Sequence, residues 1–348
     1  MGQRIWRGGM VGAGAWSVTQ LTAWSRVTNA RIVALADRHP EHRDPVVRQF
    51  HIPRAFDSVE AMLEGVELDF VDICTRPYSH AALVRPAADR GLPILCQKPF
   101  CTTLSEARAT VDACARAGVC LMVNENFRWQ PCYRVARQIL EEGWLGRPFL
   151  ATMHQRQRLT LPRFDHSQRY FAEMPRLLLY EVGVHLLDVQ RFLFGDPETV
   201  YARLHRLSPH VQGEDVQALI LGYPGLTSLI VDSWASVPIP DLDRLEGGGK
   251  WSPRLLEIDG SDGTLSLRGD GSVHVYTDGG GRHWDAVEDG AQRAHAAAQQ
   301  HFIDCLESGA EFETSGRETL KTMALVYACY RSAEEGRVVS PAELLTLP

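Results

Sequence analysis

Two textures of hydrophobic patterning divide this 348-residue chain. In the first third, short apolar runs alternate with stretches of helical period. Ile5–Gly12, Arg31–Asp37, Leu68–Cys74, Pro93–Cys96 and Val119–Val123 read as strands. Leu68–Cys74 is nearly continuously apolar, as a strand buried on both faces of a parallel sheet should be. Ser17–Val27, Pro40–Phe50, Asp57–Glu64, Ser79–Arg90 and Leu104–Ala117 carry the helical period between them, the last two stopped by Gly91 and Gly118. Strand–helix alternation at this spacing predicts a doubly wound parallel sheet with right-handed crossovers.

After about residue 148 the segments lengthen and partly alternate. Phe149–Arg158, Thr199–Arg206, Val216–Gly222 and Leu226–Ser236 read as strands. Leu255–Thr277, broken at Gly260–Gly263 and Gly269–Gly271, reads as hairpins. One helix, Leu178–Phe194, interrupts the run, and an amphipathic pair, Ala294–Ser308 and Gly316–Glu334, closes it. The expectation is an α/β chain in two domains: a Rossmann domain over 1–130, then an α+β domain over 131–348 with a large, mostly antiparallel sheet. Ile239–Lys250, with Gly247, Gly248 and Gly249, reads as a mobile loop. A sheet of this size would expose an apolar face if left bare, which predicts a homodimer or homotetramer through it.

Composition narrows the class. Hydrophobic residues at 45% and charged residues at 23% are ordinary for a globular protein, and a formal charge of -7 argues against a nucleic-acid or anionic-membrane surface. The 8 cysteines form no C-x-x-C pair and no zinc spacing, so they read as reduced core thiols. No apolar run approaches the roughly 18 residues of a membrane helix. Met1–Gly9 runs into a strand without a signal-type core. The expected compartment is the cytoplasm.

The chemistry concentrates at three places. Gly12-Ala13-Gly14 follows the first strand and opens the first helix, with Ser17 at the usual third small position. Two glycines there allow a tight turn and let a pyrophosphate approach the helix N-terminus at Ala15 and Trp16. Asp37, ending the second strand, can accept from adenosine ribose hydroxyls and favours NAD; Arg38 beside it can pair with a 2′-phosphate, which keeps NADP as the alternative. Gln97-Lys98-Pro99 falls at the carboxyl end of a sheet strand, where open α/β folds bind ligands. Glu181 and His185 lie four residues apart on one face of a largely apolar helix. Imidazole is a suitable base for a hydroxyl whose carbon surrenders a hydride. Asp188, one turn on, reads as a solvated or capping residue, with partnership to His185 the alternative.

Together these features resemble the Gfo/Idh/MocA family of oxidoreductases over nearly the whole chain. The resemblance rests on the Gly12–Ser17 turn, Thr75-Arg76-Pro77-Tyr78-Ser79-His80, Gln97-Lys98-Pro99 and Asn126-Phe127-Arg128. It continues through the Glu181–His185 helix and the late stretches His301-Phe302-Ile303 and Tyr330-Arg331-Ser332. It implies a catalytic group of Lys98, Glu181 and His185. It also implies cofactor contacts from Gly12, Gly14, Ala15, Trp16, Asp37, Arg38, Thr75, Arg76, Pro77, His80, Gln97, Lys98, Asn126 and Arg128. Gln97 stands where the family usually has Glu, and Glu181 where it usually has Asp. The Gln-Lys-Pro and Asn-Glu-Asn-Phe-Arg stretches resemble the branch that acts on pentoses such as D-apiose.

The expected activity is hydride transfer between a nicotinamide and a hydroxyl-bearing carbon of a sugar or polyol. His185 takes the proton, Lys98 steadies the alkoxide, Glu181 supports the charge, and no metal is needed. Lys98, Arg128, Arg163, Tyr180 and His185 are the candidate substrate contacts, with Trp129 beside them. Two other classes remain open: redox-neutral, NAD-assisted glycoside cleavage and a non-catalytic dinucleotide-binding regulator.

Overall fold

The computed structural model describes residues 4–166, 168–237 and 254–346. The expected loop at Ile239–Lys250 lies outside them. The chain divides into two units, Met1–Asn126 with Ala291–Leu320, and Phe127–Gly290 with Lys321–Pro348. The first crossing, between Asn126 and Phe127, falls beside the expected border at 130. The return of Ala291–Leu320 to the first unit has no counterpart in the local pattern. Nothing in a helix's own periodicity says which sheet it will cover.

The first unit runs β1 (Trp6–Val11), α1 (Ala15–Trp24), β2 (Ala30–Ala36), α2 (Pro40–Phe50), β3 (Arg54–Phe56), α3 (Val59–Gly65), β4 (Phe70–Ile73), α4 (Pro77–Asp89), β5 (Ile94–Gln97), α5 (Leu104–Arg116) and β6 (Leu121–Asn124). Its six parallel strands take the order β3-β2-β1-β4-β5-β6, the doubly wound order that reverses between β1 and β4. β3, with only three residues and no buried one, left no apolar run for the sequence pattern to show. Met10, Ala13, Leu21, Leu35, Val46, Ile52 and Cys74 form one packed core. All eight cysteines are free; only Cys120 is exposed.

The second unit opens with α6 (Pro131–Glu141) and β7 (Pro148–Arg156). A π-turn, Leu179–Gly183, leads into α7 (Val184–Phe194). There follow β8 (Thr199–His205), β9 (Val216–Tyr223), β10 (Leu226–Ser233), β11 (Arg254–Gly260), β12 (Gly263–Arg268), β13 (Val273–Thr277) and β14 (Gly280–Trp284). These make an eight-stranded sheet, β14-β13-β12-β11-β7-β10-β9-β8, antiparallel except where β10 meets β7. α7 is buried nearly all round, the mark of a helix enclosed by its own domain. On the other face of the sheet, register aligns Tyr201, Ile220, Leu229 and Thr152 in one cross-strand row. Ile220 there is 43% exposed.

The last helices are α8 (Gly290–Ser308), α9 (Gly316–Glu335) and α10 (Pro341–Leu345). α8 packs in the first unit. Its Gln292 donates to the Thr19 carbonyl at 3.2 Å, and its Gln299 donates to the Gln20 carbonyl at 3.1 Å and to Gln20 Oε1 at 3.2 Å. The segment after it caps the sheet edge: Val123 N–H donates to the Thr314 carbonyl at 2.9 Å, and Thr314 Oγ1 donates to the Val123 carbonyl at 2.6 Å. An open edge strand is thereby paired.

Beneath α1, Asp72 of β4 is completely buried. It accepts from Trp24 Nε1 at 2.7 Å and Gln20 Nε2 at 3.4 Å. Burial pushes this carboxyl up to about 7, against the pull of those two hydrogen bonds. The unfolded chain would release the same proton near pH 3.9. Between those values the folded state holds the extra proton, so stability falls as pH rises, by at most about 1.4 kcal/mol per pH unit from this group. Asp72→Asn should therefore melt higher than wild type at pH 8, with the gap closing by pH 5; thermal melts at the two pH values check it.

Candidate active site

The turn after β1 is shaped for close approach. Gly12 has φ +104°, and a Cβ there would meet the Cys74 carbonyl oxygen at 2.2 Å. Only glycine fits both constraints. Above Gly14 there is open space, and as N-cap of α1 it offers no side chain to the helix N-terminus. Ser17 is fully buried, its hydroxyl turned back onto the Gly14 carbonyl at 2.6 Å, which is how a serine serves at the third small position. The Asp37 carboxylate is held by two backbone donors, Ala13 N–H at 2.7 Å and His39 N–H at 2.8 Å, and keeps further lone pairs for hydroxyl donors. Arg38 is exposed, its Nε at 3.0 Å from His39 Nε2. This cradle at the switch point fits a dinucleotide: an open helix N-terminus for the diphosphate and a placed carboxylate for a ribose.

At the carboxyl ends of β5 and β6, Gln97 and Asn124 are register partners. Gln97 Oε1 accepts from the Lys98 N–H at 3.1 Å, and its Nε2 is buried with no partner among the described residues. Both amide atoms of Asn124 are orphaned in the same way. Lys98 is half-buried, and its peptide bond to Pro99 is cis. His80 was expected at the cofactor. It is instead turned inward and fully buried, Nδ1 at 2.9 Å from the Phe100 carbonyl and Nε2 at 3.0 Å from the Thr75 carbonyl. It braces the Thr75–Pro77 loop against the Lys98–Phe100 loop. Burial holds its imidazole below the usual range. Ser79, which donates to Thr75 Oγ1 at 2.8 Å, closes the same loop.

One residue at this edge escaped the sequence reading. His295 of α8 is 5% exposed, its Nε2 3.4 Å from Asn126 Nδ2, its ring edge-on to Trp16 at 5.4 Å. No motif in its surroundings marks it; only the return of α8 to this unit brings it here.

In the second unit, Glu181 and His185 are both buried, but the helix between them is not a plain α-helix. Glu181 sits within the π-turn, where one extra residue widens the coil; such turns recur at functional sites. Glu214 organises its start. Its Oε1 accepts from Leu177 N–H at 3.1 Å, Leu179 N–H at 3.0 Å and the Tyr330 hydroxyl at 2.7 Å. Burial pushes Glu214 up while these donors pull it back. Gly183 lets the turn approach β9, since a Cβ would lie 3.0 Å from the Gln217 side chain. His185 is stacked face to face on Phe127, centroids 4.0 Å apart and planes within 4°, which fixes the imidazole plane.

Asp188 corrects the sequence reading. It is neither solvated nor a cap but 2% exposed, in a bidentate ion pair: Arg128 Nε to Oδ2 at 2.8 Å and Nη2 to Oδ1 at 2.7 Å. Thr322 Oγ1 adds a donor to Oδ1 at 3.2 Å and itself accepts from Arg191 at 2.7 Å. Arg128, expected at cofactor and substrate, thus places two of its guanidinium nitrogens on α7. Tyr180 is buried in the π-turn. Arg163 is 80% exposed, 3.9 Å from Asp165. Trp129 lies under the Arg134 guanidinium, 3.8 Å from the ring centroid.

Two family models cover most of the chain: the oxidoreductase family with NAD-binding Rossmann fold over residues 6–125, and the GFO/IDH/MocA C-terminal domain over residues 133–266. The chain belongs to the GFO/IDH/MocA oxidoreductase family. It is 39% identical to a D-apiose dehydrogenase of Paraburkholderia graminis, covering 96% of this chain and 89% of that one. It is 26% identical to an inositol 2-dehydrogenase of Rhizobium meliloti, covering 97% and 99%. Among solved structures, an oxidoreductase from Agrobacterium radiobacter in complex with NAD+, L-tartaric acid and magnesium superposes with a TM-score of 0.88 at 36% identity, over 97% of this chain and 99% of that one. The cofactor of this GFO/IDH/MocA chain is NAD, bound by its Rossmann unit. Among the described residues no helix is long and apolar enough to cross a membrane.

For this family member the Arg128–Asp188 pair predicts a stability effect at a residue with a binding-site motif. Arg128→Ala leaves a buried carboxylate uncompensated, a loss of about 3–5 kcal/mol. Urea unfolding of the apo protein measures it directly. An unchanged midpoint would return Arg128 to the ligand contacts.

Proposed function

We propose that the protein is an NAD-dependent dehydrogenase oxidising a hydroxyl-bearing carbon of a sugar, with a pentose such as D-apiose as the first candidate. The observation that carries this reading is Lys98 at the carboxyl end of β5, in the same unit as the Gly12–Trp16 turn and the Asp37 carboxylate. Relatives at 39% and 37% identity over nearly the whole chain are D-apiose dehydrogenases, which supports the substrate class. NAD, when bound, supplies the hydride acceptor.

The chain's own residues do the rest. Gly12, Gly14, Ala15 and Trp16 receive the diphosphate, and Asp37 accepts from the adenosine ribose, a carboxylate that disfavours a 2′-phosphate and so NADP. Thr75, Arg76 and Pro77 wall the loop that His80 braces. Lys98 Nζ stabilises the oxyanion that forms as the hydroxyl proton leaves. His185, held in plane by Phe127, takes that proton at a ring nitrogen. Glu181 supports the charge that His185 then carries. Tyr180 and Arg163 are further substrate contacts. The eight free thiols suit a reducing cytoplasm.

Absorbance at 340 nm with NAD and a panel of pentoses, hexoses and polyols tests this. Lys98→Ala and His185→Ala should each lower kcat/KM by about 10²–10⁴-fold. Cofactor binding without NADH accumulation, together with cleavage of a glycoside, would mean redox-neutral chemistry instead. No turnover on either panel would mean a regulator.

The assembly we propose is a homodimer or homotetramer through the row that contains Tyr201, Ile220 and Leu229. Light scattering should give at least twice the 38.9 kDa chain mass. Ile220→Glu with Leu229→Glu should reduce it to one chain, and a wild-type monomer would refute the assembly.

A further inference from the structure

The three orphaned polar side chains at the edge of the parallel sheet differ in what surrounds them. Gln97 and Asn124 sit on neighbouring strands. His295 arrives from α8, which is bolted to α1 through Gln292 and Gln299, so its place relative to the glycine turn is set by hydrogen bonds. Its ring meets Trp16, the second residue of α1. Asn126 Nδ2 donates to its Nε2, which leaves the imidazole proton on Nδ1. That Nδ1 is buried and has no partner among the described residues. Burial first, then the charge of Lys98, lowers this imidazole to about 4, so at neutral pH it is uncharged and offers a single N–H. A buried donor beside the open N-terminus of α1, with nothing among the described residues to receive it, suits an acceptor that arrives with the ligand.

We propose that His295 is a dinucleotide-binding residue whose Nδ1–H donates to an oxygen of the diphosphate or of the ribose next to it. The contact reaches the cofactor from α8, a different element from those that carry the glycine turn and Asp37, while Asn126 holds the other ring nitrogen. It rests on the dinucleotide reading of the Gly12–Trp16 turn.

The test is binding, measured by calorimetry on the full chain with NADH, ADP-ribose, ADP and AMP. His295→Phe keeps an aromatic ring against Trp16 but removes the donor. NADH and ADP-ribose should each bind about tenfold more weakly, the worth of one hydrogen bond, while AMP stays within about twofold of wild type. A loss with ADP as well assigns the diphosphate; a loss only from ADP-ribose onward assigns the ribose. Unchanged NADH affinity overturns the proposal. So does an equal loss for AMP, which would mean a distorted turn, or a loss for NADH but not ADP-ribose, which would put the partner on the nicotinamide ring. If wild type binds none of the four, the dinucleotide reading itself fails. Thermal melts establish that the variant is folded. Should it not fold, His295→Gln, which retains an N–H, must bind ADP-ribose more tightly than His295→Leu, and equal affinities overturn the proposal.

Discussion

The orientation of the candidate base depends on a buried ion pair one turn away from it. Arg128 and Asp188 bind through two parallel hydrogen bonds with almost no solvent access. Such a pair gains little over an apolar substitute, because both charges lose their hydration. What it does is discriminate: a planar fork meets a carboxylate in one register only. Arg128 follows Phe127 directly, so the register that seats the guanidinium also lays the Phe127 ring on His185. Thr322 and Arg191 extend the network to α9, Thr322 adding a third donor to Asp188 and itself accepting from Arg191.

The dinucleotide side relies on a different kind of constraint. There the backbone must come within contact of a neighbouring strand, and the requirement falls on atoms that are missing rather than present. Gly12 has no Cβ to strike the Cys74 carbonyl, and Gly14 leaves the helix N-terminus uncovered. Gln97 accepts from Lys98 N–H through its oxygen, and its amide nitrogen and both amide atoms of Asn124 have no partner among the described residues. Unused buried polar groups destabilise a fold. Concentrated at the carboxyl edge of a doubly wound sheet, they mark where a ligand supplies the missing partners.

Much of this was legible in the chain. The strand–helix alternation, the glycine turn, Asp37 at the end of β2 and Lys98 at the end of β5 are local or nearly local signals, and each stood within a few residues of its expected place. The motif residues that proved harder to assign share one property, a partner distant in sequence. His80 looks like a ligand residue until Phe100 and Thr75 claim both its nitrogens. Arg128 looks like one until Asp188 claims its guanidinium. Asp188, polar on a helix, looks solvated until α7 is seen to be enclosed. The π-turn is likewise invisible in the pattern, because it arises where Glu214, 33 residues beyond Glu181, gathers the Leu177 and Leu179 amides.

The fold class, the family and the identity of the chemically capable groups could be read along the chain, because period, glycine placement and motif spacing act over a few residues. Packing across the chain settled which of those groups already have protein partners, such as His80 and Asp188, and which keep unpartnered atoms among the described residues. It also brought His295 to the sheet edge from 169 residues beyond Asn126. The physical reason is that a side chain's hydrogen-bonding capacity is finite. Whether any of it remains for a ligand depends on every neighbour the fold delivers, and those neighbours are set by packing across the chain, not by spacing along it.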